Sequence, residues 1–456
     1  MSNERSDALV FFGASGDLAF KDIFPALQGL AASGLLDIPV IGVSRSDWTR
    51  DDLVARARAS VEAHGGVDPI GFPRLAKQLQ YVRGEYGEHS TFERIKQALG
   101  QAKHPLHYLA IPPSGFATVV QGLADAGAAD GARVMVEKPF GRDLASAREL
   151  DLVLHKYFRE RAIFRIDHYL GKEPVQNLVY FRFANSFLEP VWNRDHVERI
   201  EITMAENFGI RNRGKLYDEL GAIRDVVQNH LLQIAALLLM EPPAGYDPEA
   251  IRDAKGQAFR AMRPLDPAEV VRGQFEGYRQ EAGVAPDSDV ETYAAMRIHL
   301  DSWRWEGVPI YIRTGKSLPI TSTEVFVVLK SPPHAVFEDV RTASPNHVRF
   351  RLSPEVVIEL GARAKKPGDA NVGEEVNLFA CRSTLNVLPA YHRLLADAMR
   401  GDQTLFARTD AVDHSWRIVD PVLGKDRPPV QPYAPGTWGP PAAASLLNGA
   451  GWHDPE

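Results

Sequence analysis

The sequence predicts an α/β domain built on a parallel sheet, followed by a larger α+β domain with a mainly antiparallel sheet. Three observations carry this. The first third of the chain alternates short apolar strands with amphipathic helical stretches, the pattern of βαβ units. Beyond about residue 175 strand-like runs follow one another with little helix between the later ones, several with period-two alternation. A chain of 456 residues is also too long for one ordinary core. The boundary is expected at 174/175, giving domains of 1–174 and 175–456.

Taken in order, Ala8–Phe12 reads as a strand that runs through a Gly-rich turn into a helical pattern ending at Leu30. Pro39–Val43, His107–Ile111 and Arg133–Val136 are further short strands, with amphipathic stretches Phe92–Leu99 and Ala117–Ala126 between them. In the second domain the expected strands are Val197–Ala205, Pro309–Arg313, Glu324–Lys330, His347–Leu352, Glu355–Leu360 and Glu375–Ala380. Helical patterns cover Ile223–Met240 and Ala390–Met399, and the Pro- and Gly-rich tail from Pro428 reads as irregular surface chain.

Composition narrows the function. With 45% hydrophobic and 24% charged residues the chain is that of a globular protein. A net charge of −7 argues against nucleic acid as a partner and requires a local basic cluster for any anionic substrate. The single cysteine, Cys381, forms no internal disulfide, which fits a reducing cytoplasm. The polar start opens no signal peptide. The apolar run Leu231–Met240 is far short of the roughly 20 residues a membrane span needs, so no membrane partner is expected. No metal-ligand cluster stands at recognisable spacing.

Gly13-Ala-Ser-Gly-Asp-Leu18 follows the first strand and opens a helix. Gly13 permits the tight turn, and Gly16 lets backbone approach a pyrophosphate at a helix N-terminus, as in Rossmann-type domains. After the second strand come Ser44-Arg45, with Asp47 two residues further. Arginine there accommodates a ribose 2′-phosphate, whereas an acidic residue would bind the 2′-hydroxyl. Residues 164–173 read Phe-Arg-Ile-Asp-His-Tyr-Leu-Gly-Lys-Glu, setting Arg165, Asp167, His168, Lys172 and Glu173 close together. An ordinary charge run is a solvated face. On a helix-like turn, however, His168 and Lys172, four apart, would share one face and grip one anion.

This last run closely resembles the Arg-Ile-Asp-His-Tyr-Leu-Gly-Lys signature of the glucose-6-phosphate dehydrogenase family. Phe11-Phe-Gly-Ala-Ser-Gly-Asp-Leu-Ala19 is similar to that family's cofactor motif. Glu137-Lys-Pro-Phe-Gly141, Ala205-Glu-Asn-Phe-Gly209, Ile223-Arg-Asp-Val-Val-Gln-Asn-His-Leu-Leu-Gln233 and Arg313-Thr-Gly-Lys316 resemble further motifs in the family's order. So do Asp301–Pro309, Trp416–Ile418 and Gly436–Pro440, so the likeness spans nearly the whole chain.

The resemblance implies oxidation of glucose 6-phosphate at C1 to 6-phosphogluconolactone, with hydride passing to NADP, the first step of the pentose phosphate pathway. It implies His230 as base, oriented by Asp167. It also implies Lys138, His168, Tyr169, Lys172, Glu206, Asp225 and Lys316 as substrate ligands. The implied cofactor set is Gly13, Ser15, Gly16, Asp17, Leu18, Lys21, Arg45, Tyr108 and Lys138. A homodimer or homotetramer assembled through the second domain's sheet also follows.

Three departures stand out. Position 207 is Asn where relatives more often have Pro. Thr321 stands about where relatives carry a second phosphate-holding cation. The run Phe20-Lys21-Asp22 keeps one cation where relatives have a basic cluster, leaving NAD an open alternative to NADP. A same-fold dehydrogenase of another aldose phosphate, and a non-catalytic sugar-phosphate or NADP sensor, are the competing readings.

Overall fold

The computed structural model describes residues 5–211, 213–245, 247–337, 340, 344–368, 371–383 and 389–456. The chain divides into two units. The first comprises Met1–Glu173, Ala244–Arg252 and Val387–Asp413; the second comprises Pro174–Pro243, Asp253–Asn386 and His414–Glu456. The sequence reading of two contiguous blocks has no place for the two excursions, because the contacts that recruit them are remote in sequence.

Among the described residues the first unit holds six parallel strands: β1 (Ala8–Phe12), β2 (Val40–Ser44), β3 (Leu79–Arg83), β4 (Pro105–Leu109), β5 (Arg133–Glu137) and β6 (Ile163–Ile166). Their order, β3-β2-β1-β4-β5-β6, is that of a doubly wound dinucleotide fold. Every residue of β1, β2, β4 and β6 is buried, as expected when helices cover both faces of a parallel sheet. β3 and β6 escaped the sequence reading. β3 is half-buried, and Phe164–Ile166, read as part of a helix-like turn, lies in β6.

The helix Ala390–Arg400, from the second excursion, buries Leu394, Leu395, Ala398 and Met399 in one cluster with Phe24, Leu27 and Leu30 of the helix Phe24–Ala32. Fully burying such a side chain stabilises by roughly 1.5–3 kcal/mol, so this face fixes the excursion to the first unit.

The second unit holds nine strands among the described residues: β7 (Val197–Ala205), β8 (Val270–Phe275), β9 (Tyr293–Ile298), β10 (Ile310–Gly315), β11 (Ser322–Leu329), β12 (His347–Ser353), β13 (Val356–Lys365), β14 (Gly373–Ser383) and β15 (Val430–Tyr433). Their order is β14-β13-β12-β11-β7-β10-β9-β8-β15. Pairing is antiparallel except for β10 on β7 and β15 on β8. The tail is therefore not wholly irregular: Val430–Tyr433 extends the sheet, and buried Tyr433 donates to the Lys316 carbonyl at 2.7 Å. No helix among the described residues is long and apolar enough to cross a membrane.

Candidate functional site

The candidate residues are divided between the two units. In the first unit, the Gly loop leaves β1 at the carboxyl edge of the sheet, where open α/β folds bind ligands. Gly13 has φ +82°, and a Cβ there would collide with the Ala110 carbonyl oxygen, so only glycine fits. Its N–H is shared between the Val43 carbonyl (2.9 Å) and the Tyr86 hydroxyl (3.0 Å), and Gly16 N–H closes back on the Gly13 carbonyl at 2.9 Å. Helical chain follows directly from Asp17, widening into π-type turns over Ala19–Ile23 and continuing as the helix Phe24–Ala32. Glycine-only backbone ahead of a helix start fits a dinucleotide pyrophosphate. Ser15 lies in this loop and Leu18 in the first helical turn, while exposed Asp17 and Lys21 pair at 3.5 Å.

Arg45 is exposed past the end of β2 and makes no ion pair among the described residues. Asp47, the acidic residue that would favour a 2′-hydroxyl, pairs with Arg83 at 2.6 Å. Tyr86, in the loop after β3, bonds to the glycine turn and feels the charge of Arg45. Burial pushes its hydroxyl up, while the Gly13 N–H and the Arg45 charge pull it back. Sequence reasoning missed Tyr86, although a loop at a strand's carboxyl end was a usable signal.

Tyr108, in the implied cofactor set, stands one strand over from the glycine turn, on β4. Its ring is fully buried in β4, and its hydroxyl donates to Glu137 at 2.5 Å. Tyr391 donates to the same oxygen at 3.1 Å. Burial pushes the Glu137 carboxyl up to about 7, against the pull of both hydroxyls and of Lys138. Lys138 follows at the strand end. Asp22 is half-buried, its carboxyl raised by burial and lowered by His64 and Lys21. Its charge is also felt at Glu137, Tyr108 and Tyr391.

Asp167 to Lys172 form consecutive turns between β6 and the helix Glu173–Ala184. Tyr169 N–H donates to the Asp167 carboxylate at 3.0 Å, and Lys172 N–H to the Tyr169 carbonyl at 3.0 Å. His168 and Lys172 thus precede the helix rather than sharing one of its faces. The Lys172 ammonium stands 3.5 Å from the Tyr169 ring centroid, and the His168 ring centroid is 5.2 Å from it. The other two charged residues of the run have partners of their own. Buried Arg165 donates to Glu160 (2.9 Å) and Asp151 (2.5 Å), and Glu173 pairs with Arg393. Asp151, His155 and Glu160 hold three ligand-type atoms within 4.8 Å of one another, but Arg165 already bonds both carboxylates.

In the second unit, β7 ends before Glu206 and β10 before Lys316, and these strands pair in parallel. The buried Lys316 ammonium donates to Glu206 and stands 5.4 Å and 5.5 Å from the rings of Phe208 and Tyr217. Burial pushes the Tyr217 hydroxyl well up, helped by the charges of Asp225, Glu291 and Glu206. Glu206, Asp225 and Lys316 therefore gather round Tyr217, a residue the sequence reading did not single out.

Buried His230 lies in the last turn of a stretch of π-type turns, Ile223–Leu231. Such i→i+5 turns recur at functional sites. The start of the stretch is fixed by Glu291, which accepts from Ala222 N–H (2.9 Å, carbonyl) and Ile223 N–H (3.1 Å, carboxylate) and pairs with buried Arg272 at 2.8 Å. Gly221, at φ +68°, leaves room for that carboxylate, which a Cβ would strike. Gln228 donates to Ser415 at 2.8 Å and Asn229 to the Arg224 carbonyl at 3.0 Å, so both brace the helix.

A glycine turn suited to a dinucleotide on one unit, with carboxylates and a lysine gathered round Tyr217 on the other, are the features of a nicotinamide-dependent oxidoreductase. Family models described as the NAD binding domain and the C-terminal domain of glucose-6-phosphate dehydrogenase match residues 10–177 and 179–453. Glucose-6-phosphate 1-dehydrogenase 1 of Mycobacterium tuberculosis is 46% identical over 99% of this chain and 97% of its own length. The Saccharomyces cerevisiae glucose-6-phosphate 1-dehydrogenase is 39% identical, covering 96% and 92%. The crystal structure of glucose-6-phosphate 1-dehydrogenase from Mycobacterium avium superposes with a TM-score of 0.93 at 45% identity, covering 99% of both chains. A glucose-6-phosphate dehydrogenase in complex with its substrate glucose-6-phosphate gives 0.91 at 34%, covering 100% of both. The chain belongs to the glucose-6-phosphate dehydrogenase family.

Proposed function

We propose that the chain oxidises glucose 6-phosphate at C1 to 6-phosphogluconolactone with NADP, in the cytoplasm, as the entry reaction of the pentose phosphate pathway. The observation that carries this reading is full-length likeness to relatives of that name with the signature residues in place. His168, Tyr169 and Lys172 hold the phosphate remote from C1, and that binding energy positions the reacting carbon. Glu206 and Asp225 accept hydrogen bonds from sugar hydroxyls, while Lys138 and Lys316 donate them. His230 takes the C1 hydroxyl proton at an imidazole nitrogen, the role of a general base. Asp167 keeps the role of orienting carboxylate that the resemblance gives it. The nicotinamide, when bound, supplies the hydride acceptor.

For the cofactor, Arg45 supports NADP, and Asp47, the acidic competitor, is paired with Arg83. Partial burial of Asp22 weakens the opposing argument for NAD. A homodimer or homotetramer is the proposed assembly. β14 lies at the sheet edge with Leu378 and Phe379 more than half exposed, at 56% and 52%.

The test is absorbance at 340 nm with glucose 6-phosphate and each nicotinamide cofactor in turn. Turnover with glucose 6-phosphate far above that with other aldose phosphates is expected. Preference for another aldose phosphate would favour the reading that Thr321 encourages. Binding of the sugar phosphate without turnover would identify a sensor.

A further inference from the structure

At the amino edge of the first unit's sheet, opposite the glycine loop, lies a cleft of about 730 Å³. That volume falls within the range of small-molecule sites. It opens beside the starts of β4, β5 and β6, and its walls include both excursions, through Pro248, Glu249, Gly401 and Gln403. The walls are firmly built. Buried Gln403 donates to the carbonyls of Ile163 (3.0 Å) and Glu160 (3.1 Å) and accepts from buried Arg252 at 2.7 Å.

The charge of the cleft runs against that of the chain, which is −7 overall. Arg133, Arg159 and Arg161 line it, with His104 beside them. Of the two acidic lining residues, Glu249 is already paired with Arg252 (2.7 Å) and Arg408 (3.1 Å), leaving Asp130 against three guanidinium groups. Arg133 is held by bonds to Ser6 Oγ (2.9 Å) and the Met399 carbonyl (3.1 Å), and exposed Arg159 makes no ion pair among the described residues. Guanidinium groups lining a concave surface suit phosphate oxygens, which they bind through paired N–H donors.

We propose that this cleft is a second anion site, separate from the sugar-phosphate and cofactor residues, that takes a phosphate-bearing metabolite of nucleotide size. It has a structural link to the first-unit site. β5 begins at Arg133 and ends at Glu137, and the helix Ala390–Arg400 sets Tyr391 on Glu137 and Met399 on Arg133.

Titration calorimetry on the full chain, saturated with glucose 6-phosphate and free of cofactor, tests this with two probes. Inorganic tripolyphosphate reads charge alone, and uridine triphosphate adds a nucleoside. Both should bind, more weakly as potassium chloride is raised. Arg159→Glu/Arg161→Glu should weaken binding at least about ten-fold, the effect of losing one charge-assisted contact or more, with kcat and KM for glucose 6-phosphate unchanged. Asp130→Asn should tighten it. Tighter binding of uridine triphosphate would identify a nucleotide as the natural class, and equal binding a simpler polyphosphate. Absence of binding at millimolar concentration, or binding untouched by the double variant, overturns the proposal. The arginines would then merely complement the carbonyl ends of the helices Phe116–Asp125 and Leu144–His155 at this edge.

Discussion

Thr321 and Asn207 hydrogen-bond to each other. The threonine hydroxyl donates to the Asn207 side-chain carbonyl at 2.8 Å and accepts from the Asn207 backbone N–H at 3.1 Å. These are two of the positions at which the chain departs from the family pattern, and proline at 207 would lack the N–H. The departures form one local unit beside Glu206. If Thr321 stands in for a phosphate-binding cation, Thr321→Lys should lower KM for glucose 6-phosphate about ten-fold, with kcat little changed. An unchanged KM in initial-rate assays would mean that position 321 does not face the phosphate.

His230→Asn should remove the base while leaving the braced π-type turns intact. Turnover should fall about 10²–10⁴-fold, while glucose 6-phosphate still binds by calorimetry. Retention of more than roughly a tenth of the turnover, outside that range, would refute the assignment.

Lys172→Ala should weaken glucose 6-phosphate about 10- to 150-fold, the effect of one charge-assisted contact. The comparison is with unphosphorylated glucose, whose slow oxidation should barely change. Equal losses on both sugars would point instead to the packing of Lys172 on Tyr169.

Arg45→Ala should raise KM for NADP sharply and leave KM for NAD nearly unchanged, because only NADP carries the 2′-phosphate. Weakening of both cofactors alike would remove Arg45 from that role and restore NAD as the working cofactor.

Glu137 gives a pH-dependent stability. Its folded carboxyl titrates at about 7 instead of the ordinary 4.5, so between these values the folded state keeps a proton that the unfolded chain has lost. Stability therefore falls as pH rises through this window and levels off above about 7. The full difference is about 3 kcal/mol. Glu137→Gln keeps an oxygen acceptor for Tyr108 and Tyr391 and should flatten the fall in Tm between pH 5 and 8. A Tm profile parallel to that of the parent chain would show that Glu137 ionises normally.

Local pattern made much of this legible. β1 and β7 match the residues read from apolar runs, and the glycine turn, the Arg-Ile-Asp-His-Tyr-Leu-Gly-Lys run and the His230 segment are contiguous stretches whose chemistry shows in a few letters. Burial that depends on distant partners was not legible. β8 and β9 pair with each other and form part of a sheet completed by remote strands. Nothing near Tyr108 says that its hydroxyl meets Glu137, or that Tyr391, 254 residues beyond Glu137, will join them. The sequence by itself determined the order of motifs, the α/β start and the residues able to do the chemistry, because strand period and turn chemistry act over a few residues. Only tertiary structure decided that two excursions complete the first unit, that Tyr108 braces Glu137 and that Thr321 answers Asn207. Each of those depends on which surfaces the chain brings together when it buries its apolar faces.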